Sequence, residues 1–202
     1  MNVAHAIHEF PHAPLERWAP AFPSGRIDAI YLHWTAGDYA SVYTSYHYCV
    51  ALDGENPVVV STHDLRANMR DVYATDLPYA AHTYRRNSYA AGIAVAGMRG
   101  ASPSDFGAFP LTTALVDGLC AVAARIASAY GLPVDGEHVR THAEAALLDG
   151  YYGVHADDER WDIALLAPQA RALEPRDAIE TGAALRERIA RRLIEIRAQD
   201  IV

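Results

Sequence analysis

Two histidines occupy similar positions in the sequence, although they are far apart along the chain. His33 follows an apolar run that begins at Ile27, and His142 ends a second short run, residues 134–142. Side chains at strand ends often line ligand sites in α/β proteins. Two neutral imidazoles and one carboxylate can hold zinc, leave a fourth position for water and keep a positive charge that polarises a carbonyl. We therefore interpret both histidines as candidate metal ligands.

A carboxylate that completes such a site has to follow His142 and reach back to it. The acidic candidates in this part of the sequence are Glu144, Asp149, Asp157, Asp158 and Asp162. Their positions alone leave all five open. The chain has ten histidines, and we expect most of them to be ordinary surface or core residues.

The elements that would position these residues are short apolar segments separated by turns. Residues 27–32 predict a mostly buried strand, and residues 46–52 alternate as a strand does. The Asp-Gly pair at 53–54 predicts a hairpin to a returning strand at 57–61. A small-residue strand at 91–97 and a short one within 134–142 complete the set. The predicted fold is therefore a single α/β domain with a central mixed β-sheet flanked by helices.

Two helices have a clear apolar periodicity. Leucine, valine and isoleucine recur at helical spacing over 111–130, where Gly131 ends the pattern. A second helix is predicted over 177–198. Asp177 and Glu180 have the spacing of an N-terminal capping box, and Ile179 belongs to a stripe of apolar residues along one face of the helix. Residues 1–26 show no sustained periodicity and predict an irregular N-terminal arm, and 144–158 predict a loop.

Composition excludes several classes of function. The chain of 202 residues suits one domain with a full core, and its net charge of −8 argues against nucleic acid as a partner. We expect no segment that is long and apolar enough to cross a membrane and no classical export signal, which predicts a protein that is cytoplasmic at synthesis. All 17 cationic side chains are arginine, so no side chain offers a deprotonatable amine. Cys49 and Cys120 lie in apolar runs and predict buried free thiols.

Four segments together resemble a known family. They are HWTAG at 33–37, YHYCVALDG at 46–54, AAHTYRRNSYAAGIAVAG at 80–97 and THAE at 141–144. In their order and spacing they resemble the zinc-dependent N-acetylmuramoyl-L-alanine amidases of the peptidoglycan-recognition-protein and phage-lysozyme type. The resemblance runs from about residue 27 to residue 166, and it implies an amidase core at 27–168, Zn²⁺ as cofactor and peptidoglycan as substrate.

The resemblance implies that His33 and His142 are zinc ligands. The family's third ligand is an Asp or Cys, usually followed by Pro-Gly, and this chain has no such tripeptide. Family members tend to carry a basic residue two positions before that ligand, which matches Arg160 and selects Asp162. Asp157 or Asp158 is the alternative, because the interval between His142 and Asp162 is longer than usual in the family. Asp162 is also a plausible helix N-cap before a following apolar turn.

Further site residues follow from the same resemblance. Tyr46 matches the tyrosine that lies beside the zinc in phage-type members and contributes to acid/base or oxyanion chemistry. The glutamate that other members carry in a strand has no counterpart at residues 92–95, so the phage-type arrangement is implied. Arg160 would help to hold the oxyanion. His82 and Asn87 resemble residues that line the substrate groove, and Arg85, together with its neighbour at 86, would meet stem-peptide carboxylates.

The predicted function is hydrolysis of the amide between N-acetylmuramic acid and L-alanine of peptidoglycan, in a phage or prophage endolysin that reaches the wall after release. Two alternatives stay open. One is a non-catalytic peptidoglycan-binding module of the same fold, and the other is a zinc amidase that acts on a different amide. We expect His47 to be structural, and His155 lies near enough to the third-ligand region to be an alternative ligand.

Overall fold

The strands form where β-branched and small apolar residues cluster, and the helices form where apolar residues recur every three or four positions. The computed structural model describes residues 3–155 and 158–199. In chain order its strands are β1 (His5–Ala6), β2 (His12–Pro14), β3 (Ala29–Trp34), β4 (Ser41–Val42), β5 (Tyr48–Asp53), β6 (Asn56–Ser61), β7 (Ala90–Val95), β8 (Val139–Thr141), β9 (Gly153–His155) and β10 (Asp158–Arg160). Its helices are α1 (Thr113–Tyr130), α2 (His142–Asp149) and α3 (Pro175–Gln199).

A mixed six-stranded sheet forms the centre of the protein, in the order β2-β6-β5-β7-β3-β8. The strands β5, β7, β3 and β8 run parallel to their neighbours within this group, whereas β6 pairs antiparallel with both β5 and β2. The three helices flank the sheet. This architecture confirms the predicted α/β class, the mixed sheet and the additional C-terminal helix.

The register of β3 and β8 determines where the site forms. Leu32 on β3 lies opposite Thr141 on β8, and the two strands are parallel. The next residue of β3 is His33, and the residue that follows β8 is His142, so both histidines lie at the same edge of the sheet. This edge is the carboxyl end of the parallel strands, where ligand sites form in open α/β sheets.

Helix α1 supplies much of the core. Leu115, Leu119, Val122 and Ile126 have no exposed surface and pack with the sheet residues. The helix begins two residues later than predicted because Thr112 is the N-cap, with its hydroxyl accepting a hydrogen bond from the Leu115 N–H.

The length of α1 corrects one expectation. By length and composition alone this helix could cross a membrane, and 56% of it is buried inside the protein. The core helix of a globular domain passes the same test. The expectation that no segment is long and apolar enough was therefore wrong.

Helix α3 packs mainly against α1 through Leu185, Ile189 and Leu193. It begins at Pro175, two residues before the predicted start, since proline is well suited to the first helical position. Asp177 is therefore the third residue of the helix and not its N-cap, as the capping-box prediction had it, and its carboxylate accepts a hydrogen bond at 2.8 Å from the N–H of Glu174, the residue before the helix. Ile179 is 56% exposed, so its assignment to the buried stripe was wrong.

Two irregular segments were predicted wrongly. The N-terminal arm contributes β2, which pairs with β6 at the edge of the sheet, and β1, which pairs with β4. Within the segment 144–158, which was predicted as a loop, residues 144–149 belong to helix α2 and residues 153–155 form β9. Both cysteines are free and buried, as expected, and burial raises the pKa of each thiol to about 12.

Candidate metal centre

The site begins with the way the chain leaves strand β8. Thr141 is the N-cap of α2, and His142 is the first residue of that helix. The Thr141 hydroxyl accepts a hydrogen bond from the Glu144 N–H, while the Glu144 carboxylate accepts one from the Thr141 N–H. This capping box fixes the backbone on both sides of His142 and hence the direction of its side chain.

Asp162 reaches the two histidines from a turn that follows β10. The Ala143 N–H donates a hydrogen bond to the Asp162 backbone carbonyl at 2.6 Å, which ties this turn to the start of α2. Below the turn, the ring of Trp161 packs edge-on against Trp34 with ring centroids 4.4 Å apart. Asp162 lies in a turn rather than at a helix N-terminus, so the structure does not support the alternative N-cap role.

The three side chains converge on one buried point. The Nδ1 atom of His33 lies 3.2 Å from Asp162 Oδ2, and the Nδ1 atom of His142 lies 2.8 Å from Asp162 Oδ1. All three candidate ligand atoms lie within 4.8 Å of one another. His33 is fully buried, and His142 and Asp162 are 8% and 6% exposed.

The electrostatics of the cluster suit a cation. Burial lowers the pKa of His33 to about 4, which keeps its imidazole neutral at physiological pH. Burial alone would raise the pKa of Asp162, but the neighbouring His142 and His33 outweigh it and hold the pKa of this carboxyl well below its usual range. A neutral imidazole and an ionised carboxylate are the forms that bind metal.

The donor set fits zinc. Zinc prefers imidazole nitrogen and carboxylate oxygen at about 2.0–2.2 Å in a tetrahedral arrangement, which places neighbouring ligand atoms roughly 3.3 Å apart. The separation of 3.2 Å between His33 Nδ1 and Asp162 Oδ2 is close to that value, whereas His142 Nδ1 lies at the shorter, hydrogen-bonding distance of 2.8 Å from the other oxygen, Oδ1. Three protein ligands also leave a position for water or substrate, as in catalytic rather than structural zinc sites.

Two hydroxyl groups contact the outer nitrogens of the imidazoles, and the sequence did not reveal either. The Nε2 atom of His33 lies 3.5 Å from the Thr83 hydroxyl, and that of His142 lies 3.4 Å from the Tyr151 hydroxyl. Partners of this kind orient metal-binding histidines and fix their tautomers. Thr83 directly follows the noted His82, so proximity in sequence was an available signal, whereas nothing local marks Tyr151.

Tyr46 lies beside the cluster. Its ring centroid is 5.1 Å from that of His33, and its hydroxyl donates a hydrogen bond to the Trp34 carbonyl at 3.2 Å. Burial raises the pKa of Tyr46 well above its ordinary value, so the hydroxyl stays protonated and can donate. Arg160 ends strand β10, two residues before Asp162, and its charge acts on the pKa of Tyr151.

His82 and Asn87 lie beneath the site surface rather than on it. His82 is 6% exposed, with its ring centroid 5.4 Å from that of His33 and its Nδ1 atom 2.9 Å from the Thr83 hydroxyl. The side-chain amide oxygen of Asn87, Oδ1, accepts hydrogen bonds from the backbone N–H groups of both His82 and Thr83. These contacts show that both side chains hold the loop, and their place in a substrate groove stays a prediction.

The two arginines of this loop differ. Arg85 is exposed and its guanidinium lies over the ring of Tyr84, so its predicted role toward stem-peptide carboxylates stays a prediction. Arg86 instead makes a bidentate ion pair with Asp149, at 2.6 and 2.7 Å.

The structure also locates the other acidic candidates. Asp149 is engaged by Arg86, and Glu144 belongs to the capping box. Asp157 lies outside the described residues, as do the side chains of Asp158 and His155. His47 is fully buried and accepts a hydrogen bond from the Gly92 N–H at 3.0 Å through Nδ1, in agreement with a structural role.

Fold and site together define an α/β protein with a buried His-His-Asp group that can bind a metal ion at the carboxyl ends of parallel strands. A comparison with known protein families agrees with this description of the fold and the site. The model of the N-acetylmuramoyl-L-alanine amidase family matches residues 23–160, and the chain belongs to this family. The match ends two residues before Asp162, which only the structure brings to the site. No curated protein matches the chain in a sequence comparison.

Proposed function

We propose that this chain is a zinc-dependent hydrolase that cleaves the amide between the lactyl group of N-acetylmuramic acid and L-alanine of peptidoglycan. Membership of the amidase family supports the reaction class and the substrate. The single observation that carries the catalytic proposal is the convergence of His33, His142 and Asp162 on one buried point. These residues would hold the zinc ion.

The chemistry that a bound zinc ion supplies is Lewis-acid polarisation of the amide carbonyl and activation of water near neutral pH. The chain provides the surroundings for that chemistry. Two neutral imidazoles and one carboxylate would leave one net positive charge on a bound Zn²⁺, and the burial of all three side chains would strengthen the effect of that charge.

Tyr46 and Arg160 would stabilise negative charge that develops on the amide oxygen. The Tyr46 hydroxyl keeps its proton because burial raises its pKa, so it could donate a hydrogen bond to an oxyanion in place of the one that it donates to the Trp34 carbonyl. Arg160 carries a permanent charge and cannot transfer a proton, which restricts it to electrostatic stabilisation and orientation. Removal of one such donor typically slows turnover by about 10²-fold to 10³-fold.

Zinc analysis combined with a muropeptide digest tests this proposal. Purified protein should contain a single zinc ion per chain and release stem peptides from peptidoglycan. The variants His33→Ala, His142→Ala and Asp162→Asn should each lose zinc and activity. His138→Ala is a matched control, because His138 lies before β8 and bonds Asp135 instead of the site. Full activity with retained zinc in His142→Ala would contradict the proposal.

The runner-up is a peptidoglycan-binding module without catalysis, since members of the family can be non-catalytic. The complete His-His-Asp set favours the enzyme, because non-catalytic relatives of this fold typically lack a ligand. Binding to cell walls with no release of stem peptide would favour the module. Release of an amine from a different amide substrate would favour a zinc amidase of other specificity.

We also propose that the enzyme acts as a phage or prophage endolysin that reaches the wall after its release from the cytoplasm. Support comes from Tyr46 at the position typical of phage-type members and from the absence of a glutamate at residues 92–95. Expression in a bacterial host should cause lysis only when a membrane-permeabilising partner is present. Growth that continues after permeabilisation would argue against this role.

A further inference from the structure

Helix α3 lies beyond the region that matches the amidase family, yet it contacts the segments that carry two of the three candidate ligands. Arg186 is the main contact toward His142. Its Nη1 atom donates hydrogen bonds to the Glu144 carboxylate at 2.9 Å and to the Val139 carbonyl at 3.0 Å. The side chains of Arg186 and Glu144 are only 15% and 11% exposed, so water screens this ion pair weakly.

Glu144 transmits this contact to the metal centre. Its Oε2 atom, which accepts from Arg186, also accepts from the Thr141 N–H at 2.9 Å. One carboxylate oxygen therefore joins α3 to the capping box that starts α2. Because His142 is the first residue of α2, the orientation of its imidazole depends on this cap.

The surface of α3 is shaped for the same carboxylate. Gly182 lies against Glu144, where a Cβ atom would be 2.2 Å from the carboxylate. Any other residue at this position would force the Glu144 side chain away from its place. One turn of α3 thus combines a glycine that admits the carboxylate with an arginine that binds it.

A second contact reaches the segment of the third ligand. The Thr181 hydroxyl donates a hydrogen bond to the Ala164 carbonyl at 2.8 Å, two residues after Asp162. The Asp162 carbonyl in turn accepts from the Ala143 N–H. Neighbouring residues of α3 therefore hold both ligand-bearing segments in one network.

We propose that Arg186 is a positioning residue of the metal centre, which acts through Glu144 and the α2 cap to orient His142 for metal binding. This inference rests on the proposed zinc site. Residues that orient metal ligands typically change metal affinity by about 10-fold to 100-fold when they are replaced. Since Arg186 acts through one intervening residue, we expect the lower end of that range.

The test compares the zinc affinity of the wild type with that of variants, each as the purified full chain, by competition with a chromogenic chelator. Arg186→Met retains the aliphatic stem and removes the charge, and should weaken zinc binding about 10-fold. Arg186→Lys should recover part of the loss, and Gly182→Ala, which leaves both charges in place, should reduce affinity in the same direction. Arg191→Met is the control, because Arg191 pairs with Glu187 on the exposed face of the same helix.

A spectroscopic measurement separates positioning from general stability. The visible spectrum of the Co²⁺-substituted protein should change in Arg186→Met and remain as in the wild type in Arg191→Met. In one outcome, the Arg186→Met protein unfolds at a lower temperature and still keeps wild-type zinc affinity and an unaltered cobalt spectrum. That result would overturn the positioning role of Arg186 but not the proposed function. A wild-type chain that binds zinc but leaves peptidoglycan intact would overturn only the proposed function. A wild-type chain that binds no zinc would overturn both.

Discussion

Lowering the pH from 7 to 5 should destabilise the metal-free protein, and His47 should account for a measurable share of this loss. His47 has no exposed surface, and burial lowers its pKa to about 3, whereas an imidazole in the unfolded chain has a pKa of about 6.5. Between these values the unfolded state binds a proton that the folded state excludes. Stability therefore falls as the pH falls below about 6.5, and continues to fall until the folded-state pKa is reached.

The size of this loss of unfolding free energy follows from the distance between the lowest pH of the experiment and the pKa of the unfolded imidazole. At pH 5 the His47 imidazole is protonated in the unfolded chain and neutral in the folded protein. This pH lies about 1.5 units below the pKa of the unfolded chain. Each such unit corresponds to about 1.4 kcal/mol, so His47 alone should remove about 2 kcal/mol of unfolding free energy. Burial also lowers the pKa of His33 to about 4 and lowers that of His82, so the wild type should lose more in total.

Comparison with a variant that cannot titrate isolates the contribution of His47. His47→Asn retains an acceptor for the Gly92 N–H, which bonds Nδ1 in the wild type. Denaturant unfolding in the presence of a chelator at pH 7, 6 and 5 would give the free energy of unfolding of both proteins. The loss between pH 7 and pH 5 should be about 2 kcal/mol smaller in the variant. Equal losses in the two proteins would refute the reasoning, whatever the difference between them at pH 7.

Other predictions concern the site and its support. Tyr46→Phe should retain zinc and turn over about 10²-fold more slowly, as metal analysis and a muropeptide assay would measure. Arg160→Met should also keep zinc and lose kcat, and wild-type kcat in this variant would contradict its role. Asn87→Ala should lower the unfolding free energy by about 2–4 kcal/mol, because its side-chain oxygen Oδ1 accepts hydrogen bonds from two backbone N–H groups. Gly92→Ala should destabilise because a Cβ there would lie 2.3 Å from the His82 ring, and His82→Ala should relieve this cost in a double-mutant cycle.

Much of the central sheet was predictable because its signals are local. The apolar run before His33, the Asp-Gly hairpin and the small-residue strand each depend on neighbouring residues, and the structure contains all three elements. Edge strand β2 was not predictable from local pattern, since three residues are too few to show a period. Its conformation depends on pairing with β6, which is a tertiary contact.

Helix α2 was missed although a signal for it was present. Thr141 and Glu144 have the spacing of a capping box, the same signal that predicted the C-terminal helix. The strand β8 ends at Thr141 and the helix begins at the next residue, so the strand pattern runs directly into the helix with no intervening turn residue. The eight-residue length of α2 and its weak apolar pattern gave no second signal.

The meeting of the three candidate ligands was predictable only in part. Histidines at the ends of two strands suggest a shared site, but only the parallel pairing of β3 with β8 brings them together. The choice of Asp162 among five acidic residues depended on the resemblance to a family and not on the physics of the sequence. The burial of His82 and Asn87 depends on loop packing, which composition cannot reveal.

The position of Asp162 and α3 beyond residue 160 bears on protein engineering. A chimera joined where the family match ends would take its two histidines from one parent, and its carboxylate and supporting helix from another. Such a hybrid would combine candidate ligands from two proteins whose side chains are not packed to fit each other, and we expect it to bind metal more weakly. Recombination with other members of the family is therefore better made after α3, so that the three candidate ligands and their supporting helix come from one parent.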